Sequence, residues 1–198
     1  MKIRSEEVKR LRDETGIGIM DCKSALTKAE GDLERAKQIL REEGLELIGK
    51  SGRPVNEGRI EAYIHHSGKV GVLLEINSNT DFAANSDAFR EFARDVAMQI
   101  AANKPRHIAP EDVSEAELEA ERNILRKQGE KEGKPPKIIE KIVEGRLKKF
   151  YTEVCLLKQP FIKDPSRSIE ELLADLRIKT GEDISIKRFA RFEIGEDT

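Results

Sequence analysis

The sequence predicts an α+β protein: an N-terminal three-helix bundle, a linker, and an α+β core with a three-stranded antiparallel sheet and a helical hairpin. Three observations support this. Glycines divide the first part of the chain into three short helical segments, apolar residues alternate with polar ones in three later segments, and helical apolar spacing fills the remainder. The predicted boundaries are 1–44 for the bundle, 45–57 for the linker and 58–198 for the core and dimerisation domain.

The predicted bundle helices begin at capping residues or end at glycines. Ser5 can cap the first helix, and the second extends from about residue 21 to residue 30. Asp32 can cap a third helix that ends at Gly44. Helices this short are marginally stable alone, so we expect them to pack together. Glycine, proline and asparagine accumulate over 45–57, which indicates a linker.

The core is predicted to begin with a β-hairpin. Apolar residues alternate over 60–64 and 70–76, and Ser67-Gly68 between them suits a tight turn. We expect 77–82 to be a loop, followed by an amphipathic helix with one continuous apolar stripe. The stripe consists of Phe89, Phe92, Ala93, Val96, Ala97, Ile100 and Ala101.

The second half of the core is predicted to be mostly helical. Ser114 and Glu117 form a capping box that opens a helical hairpin extending over about 114–158. Another helix follows Ser168, and alternation over 184–194 predicts a final strand. Three strands make a thin sheet for this length of chain, so we expect it to gain stability by self-association.

The composition argues against several classes of protein. Lys and Arg number 36 against 38 Asp and Glu, and aromatic residues make up 5% of the chain, so direct nucleic-acid binding is not expected. No segment reaches the roughly 18 to 20 apolar residues of a membrane span. Two cysteines without a signal peptide indicate reduced thiols and a cytoplasmic protein.

The sequence offers no constellation for covalent catalysis. It contains neither of the glycine-rich phosphate-binding motifs, so we expect no nucleotide cofactor. His65 and His66 are adjacent on a predicted strand, should point to opposite faces, and should not share a metal ion. Cys22 is interpreted as a small buried residue in preference to a redox group. We therefore expect no enzymatic activity, no metal and no cofactor.

Two segments suggest protein binding. In the first, Ile17, Ile19 and Met20 occupy a predicted inter-helix loop, where they could contact a partner or cover the core of the bundle. In the second, Phe82 follows Asp81 in a polar loop. It could be packed under the sheet, with Thr80 or Asp81 capping a helix, or it could be an exposed wedge.

The two segments resemble the signatures of the elongation factor Ts family. They read Thr15-Gly16-x-Gly18-x-Met20-Asp21-Cys22-Lys23 and Thr80-Asp81-Phe82, and later blocks match as well: Glu132-Gly133-Lys134-Pro135, Glu144-Gly145-Arg146-Leu147-Lys148-Lys149-Phe150, Gln159-Pro160-Phe161 and Arg191-Phe192-Glu193. The resemblance covers the full chain. The sequence differs from the usual pattern at Asn79, at Ala83 and in the linker around 51–54.

The resemblance implies a guanine-nucleotide exchange factor that releases GDP from elongation factor Tu. It implies that Phe82 enters an apolar pocket of that GTPase while Asp81 disturbs the region holding Mg²⁺, with Thr80 and Ala83 beside them. It further implies that the N-terminal bundle, similar to a ubiquitin-associated module, contacts the same partner. Its contact residues would be Arg12, Met20 and Lys23.

The chain also resembles the short form of the family, which has one copy of a core unit that longer members contain twice. This implies a homodimer, in which His65 of the second chain approaches the nucleotide site. A strand residue facing solvent is the alternative for His65. The alternative for the whole protein is a structural adaptor that binds a partner without exchange activity.

Overall fold

A computed structural model of the protein describes residues 3–49 and 55–196, which form two compact units. One contains the residues up to Ala62, Leu73–Asp95 and Glu171–Ala190, and the other contains Tyr63–Val72, Val96–Glu170 and the residues from Arg191. The helices are α1 (Ser5–Thr15), α2 (Ile19–Lys28), α3 (Leu33–Gly49), α4 (Asp81–Ala84), α5 (Asp87–Asn103), α6 (Glu115–Lys131), α7 (Pro136–Val154) and α8 (Ile169–Thr180). The strands are β1 (Glu57–Ile64), β2 (Val70–Ser78), β3 (Pro160–Phe161), β4 (Asp164–Ser168) and β5 (Ser185–Glu193). None of the described helices is long and apolar enough to cross a membrane.

The predicted α+β class is confirmed. Strands β1, β2 and β5 form a three-stranded antiparallel sheet in the order β1-β2-β5. The β1-β2 hairpin closes where the His65 N–H donates to the Val70 carbonyl over 2.9 Å. Strands β3 and β4 form a second, two-stranded antiparallel sheet that the sequence pattern does not predict. A strand of two residues is too short to show the alternation that predicts strands.

Helices α1, α2 and α3 form the N-terminal bundle. α1 ends at Gly16, which has φ 72° and donates its N–H to the Arg12 carbonyl over 2.7 Å. Asp32 caps α3, because its Oδ1 accepts from the backbone N–H groups of Glu34 and Arg35. The core of the bundle consists of Val8, Leu11, Cys22, Ala25, Leu26, Ala29, Ala36 and Leu40.

Several helix boundaries in the bundle differ from the prediction. Ser5 lies inside α1 and Arg4 is at its N-cap, and α2 ends at Lys28. α2 begins at Ile19, so Ile19 and Met20 belong to its first turn and not to a loop. α3 continues to Gly49, past the predicted end at Gly44, because a helix tolerates an interior glycine at a cost of about 1 kcal/mol. Residues 50–54 of the predicted linker lie outside the described residues. The division into bundle, linker and core stays a prediction.

α8 lies against the bundle. The Arg41 Nη2 group donates to the Asp175 carboxylate over 2.7 Å, and Arg41 Nη1 lies 3.5 Å from Glu171 Oε1. A Cβ added to Gly16 would lie 3.6 Å from the Lys179 side chain, so the stem of Lys179 covers the C-terminal end of α1. Both ends of α8 therefore contact the bundle.

Helices α6 and α7 form the predicted antiparallel hairpin. Leu125, Ile139 and Val143 pack together along it, and Arg126 forms an ion pair with Glu140 over 3.1 Å. Near the turn, the helices approach so closely that a Cβ on Gly129 would lie 2.9 Å from the Ile139 Cγ1 atom. The close approach favours glycine at this buried position, because a Cβ there would displace the Ile139 side chain.

A buried amide pair connects α5 to the segment around β3. Gln99 Nε2 donates to Gln159 Oε1 and to the Pro160 carbonyl, each over 3.1 Å. Gln99 Oε1 accepts from the Ile162 N–H over 2.9 Å, and Gln159 Nε2 donates to the Glu153 carbonyl over 3.1 Å. These contacts meet most of the hydrogen-bonding capacity of two fully buried side chains, as a stable core requires.

Two glycine substitutions in the hairpin should have opposite effects. Gly129→Ala should lower the free energy of unfolding by about 1 kcal/mol, because its Cβ meets the branched side chain of Ile139. Gly145→Ala should raise it by about 0.5 to 1 kcal/mol, because Gly145 lies in the interior of α7 with no atom within 4 Å of an added Cβ. Urea denaturation measures both values, and equal effects would contradict the close approach at Gly129.

Both thiols should be unreactive in the folded protein. Burial raises the pKa of Cys22, and burial followed by the nearby carboxylate of Asp112 raises the pKa of Cys155 to about 11. Because the thiolate is the reactive form, a thiol-specific reagent at neutral pH should modify neither cysteine until denaturant is added. Rapid labelling of the native protein, located by mass spectrometry, would show that one thiol is accessible.

Candidate partner-binding site

The predicted loop after β2 contains a hydrogen-bonded helical turn, α4. Thr80 has extended backbone angles and caps the turn, because its Oγ1 accepts from the Ala83 N–H over 3.2 Å. At the other end, the Asn85 side chain donates to the Asp81 carbonyl over 2.9 Å, and the Ser86 hydroxyl donates to the Ala83 carbonyl over 2.8 Å. Side chains therefore fix both ends of a helix that is too short to be stable alone.

The turn directs Phe82 into solvent. The Phe82 side chain is 85% exposed and Asp81 beside it is exposed, whereas Ala83 and Ala84 are buried. The interpretation that Phe82 packs under the sheet is therefore wrong. The capping role that was part of the same interpretation is correct for Thr80. Ala83 was predicted as a contact residue, but its buried side chain packs inward and supports the turn.

A residue from another part of the chain anchors α4. The Thr80 N–H donates to Glu182 Oε2 over 3.0 Å, and the Thr80 hydroxyl donates to Glu182 Oε1 over 2.5 Å. Glu182 is buried, with 9% of its surface exposed. Next to it, the Asp183 N–H donates to Asn79 Oδ1 over 2.6 Å. The turn after α8 thus holds two consecutive residues ahead of Phe82.

Glu182 is not predictable from the sequence. It follows Gly181 in a polar segment that reads as an ordinary turn, and it lies 102 positions after Thr80. A single sequence contains no signal that connects such distant residues. The one indirect indication in the sequence is the unusual placement of Phe82 in a polar segment, because an exposed ring there needs another residue to hold the segment in place.

The N-terminal segment also presents apolar side chains to solvent. Met20 is 71% exposed and Ile19 is exposed beside it in the first turn of α2. Lys23 and Arg12 are exposed on α2 and α1. Ile17, in contrast, packs against the bundle core. The two alternatives for this segment therefore apply to different residues, since Ile17 covers the core while Ile19 and Met20 are accessible to a partner.

The structure places His65 in the other compact unit. It follows the last residue of β1, is half-buried, and has its Nδ1 2.9 Å from the Ser67 hydroxyl oxygen. The ring centroids of His65 and His66 are 4.1 Å apart. The expectation that the two rings point to opposite faces is therefore wrong, because these residues lie in the turn and not on the strand. Within the described ranges, no three His, Cys, Asp or Glu side chains group closely enough to hold a metal ion.

Comparisons with known proteins give a consistent result. Residues 33–196 match the family model described as elongation factor TS. The chain is 55% identical over 195 residues to elongation factor Ts of Carboxydothermus hydrogenoformans, which covers 98% of this chain and 90% of that protein. It is 53% identical over 195 residues to elongation factor Ts of Caldanaerobacter subterraneus subsp. tengcongensis, covering 98% of both chains. The chain belongs to the elongation factor Ts family.

Proposed function

We propose that this protein is a guanine-nucleotide exchange factor in translation elongation, which accelerates GDP release from elongation factor Tu. Membership of the elongation factor Ts family supports the role in elongation. The observation that carries the mechanism is the 85% exposure of Phe82 on a turn whose two ends are hydrogen-bonded. A large apolar side chain carried into solvent on a hydrogen-bonded turn is suited to enter a pocket of another protein.

The proposed mechanism uses the binding energy of Phe82. Burial of an exposed phenylalanine ring contributes about 1.5 to 3 kcal/mol, enough to shift a conformational equilibrium of the partner by tenfold or more. Asp81 beside the ring brings a carboxylate toward the region of the partner that holds Mg²⁺. Disturbance of that region weakens the binding of GDP to the partner. Because linkage is reciprocal, GDP weakens binding of the factor by the same ratio. No covalent bond changes, so the activity requires no cofactor in this chain.

The N-terminal bundle supplies a second contact in this proposal. Met20 provides an exposed apolar side chain, and Lys23 and Arg12 provide positive charges on the same bundle. Residues 1–44 would act as this partner-binding module, 45–57 as the linker, and 58–198 as the core. The protein would function in the cytoplasm, where translation takes place.

We also propose that the protein is a homodimer that associates through its three-stranded sheet. Each strand exposes a large apolar side chain: Ile60 and Ile64 on β1, Leu73 on β2 and Phe192 on β5. Sheets of three strands gain stability when such residues are covered. In a dimer, His65 of each chain is available to a partner bound mainly by the other chain.

Replacement of Phe82 tests the exchange mechanism. Phe82→Ala should reduce the acceleration of GDP release at least tenfold, because the ring no longer fills a pocket in the partner. Its melting temperature should stay unchanged, because the ring makes little contact with its own core. Release of a fluorescent GDP analogue from elongation factor Tu measures the rate, and Asp81→Ala should also lower it.

Ile124→Ala is the matched control for Phe82→Ala. Ile124 is also an exposed large apolar residue, but it lies on α6, away from α4 in the sequence. The control should keep the full rate. If Phe82→Ala binds elongation factor Tu and releases GDP as fast as the unmodified protein, the wedge mechanism is wrong. If the unmodified protein binds without accelerating release, the protein is an adaptor.

A charge on the exposed sheet residues should separate the proposed dimer. Phe192→Glu should convert the protein to a folded monomer, because the carboxylate cannot be buried between two sheets without a partner. Lys187→Glu, on an exposed residue of the same strand, should stay dimeric. Light scattering gives the mass of each variant and circular dichroism confirms folding. A monomeric unmodified protein would exclude the dimer.

A further inference from the structure

We infer that Glu182 is a positioning residue that holds Phe82 in the orientation required for partner binding, an inference that rests on the proposed function. Glu182 follows Gly181, which has φ 69° and ends α8 by donating its N–H to the Arg177 carbonyl over 2.8 Å. The chain then turns so that the Glu182 carboxylate meets Thr80. Glu182 is buried and does not belong to the exposed surface around Phe82 and Asp81, whereas Thr80 is half-buried next to that surface.

The Glu182 carboxylate fixes Thr80 in both position and rotation. Two bonds from different atoms of one residue, the backbone nitrogen and the hydroxyl oxygen, leave Thr80 little freedom to turn. The same hydroxyl oxygen accepts from the Ala83 N–H, so its orientation also sets the first turn of α4. Phe82 lies between Thr80 and Ala83 in the sequence and follows their placement. A continuous set of hydrogen bonds therefore connects Glu182 to the backbone that carries the ring.

The burial of Glu182 argues for such a specific role. A buried carboxylate loses much of its hydration and is tolerated when hydrogen bonds replace it. Here both oxygens are engaged by Thr80, which a neutral apolar residue could not do. Thr80 can cap α4 without Glu182, because the cap uses only its own hydroxyl. Loss of Glu182 should thus leave the fold and α4 intact, but α4 should no longer be held in one orientation.

α8 extends this positioning to the N-terminal bundle. Within the same compact unit, Arg41 of α3 contacts Asp175, and Gly16 lies against Lys179. α8 thus supports the bundle along its length and, through Glu182, the turn that carries Phe82. Two contact segments that are attached to one helix lose less conformational entropy on binding than two independent segments would.

A tryptophan reporter tests the positioning without any partner. The chain contains no tryptophan, so Phe82→Trp introduces a single indole at the site, which can be excited apart from the two tyrosines. Time-resolved anisotropy should show a restrained indole in this variant and a larger amplitude of fast local motion when Glu182→Ala is added. Glu182→Gln should restore the restraint, because its amide can accept from the Thr80 N–H and donate to the hydroxyl oxygen. An unchanged amplitude in Glu182→Ala overturns the inference.

GDP release from elongation factor Tu then tests the functional consequence. With Phe82 retained, Glu182→Ala should lower the second-order rate constant of release about tenfold, and Glu182→Gln should recover most of it. Gln159→Ala is the matched control, since it also removes a buried, hydrogen-bonded side chain but belongs to the other unit. It should lower the melting temperature and keep the rate.

The outcomes separate the inference from the proposed function. If GDP release is as fast with Glu182→Ala as with the unmodified protein but slow with Phe82→Ala, the positioning role is overturned and the exchange mechanism is supported. A full rate in Phe82→Ala removes the exchange mechanism, while the anisotropy comparison still decides whether Glu182 orients the turn. An equal loss of rate in Glu182→Ala and Gln159→Ala would indicate general destabilisation and overturn the inference.

Discussion

The two hydrogen bonds from Thr80 to the buried carboxylate of Glu182 are the interaction on which the candidate site depends. A helix of four residues has almost no stability of its own, so its orientation must come from contacts with the remainder of the fold. Here they come from Glu182 and Asp183 in the turn that follows α8, together with the buried side chains of Ala83 and Ala84. The geometry of a short surface element is thus set by a residue more than a hundred positions away.

The site reverses the usual distribution of polar and apolar residues. A carboxylate is buried at Glu182, while a phenyl ring is exposed at Phe82. Each placement is unfavourable for folding unless another interaction offsets it, and local exceptions of this kind occur at functional sites. Gln99 and Gln159 provide a contrast in the other unit, because their buried amides bond mainly to backbone groups of their own surroundings and hold the core together.

The sequence was informative where a regular period extended over many residues. The apolar stripe from Phe89 to Ala101 predicted α5, and alternation predicted the hairpin of β1 and β2. The two-residue β3 has no measurable period. For Phe82, composition alone favoured burial, and only the family resemblance indicated exposure. Glu182 could not be predicted, because its role arises from a tertiary contact that leaves no local pattern.

The exposure of Phe82 separates two selective pressures on one residue. Because its ring contacts little of its own chain, folding places almost no restriction on the side chain at this position, whereas Ala83 and Ala84 beside it must stay small to be buried. A screen that rewards only stable expression would therefore accept most residues at position 82. Evolution can change the affinity for a partner there without altering the scaffold, so co-variation between the two proteins should concentrate at this position.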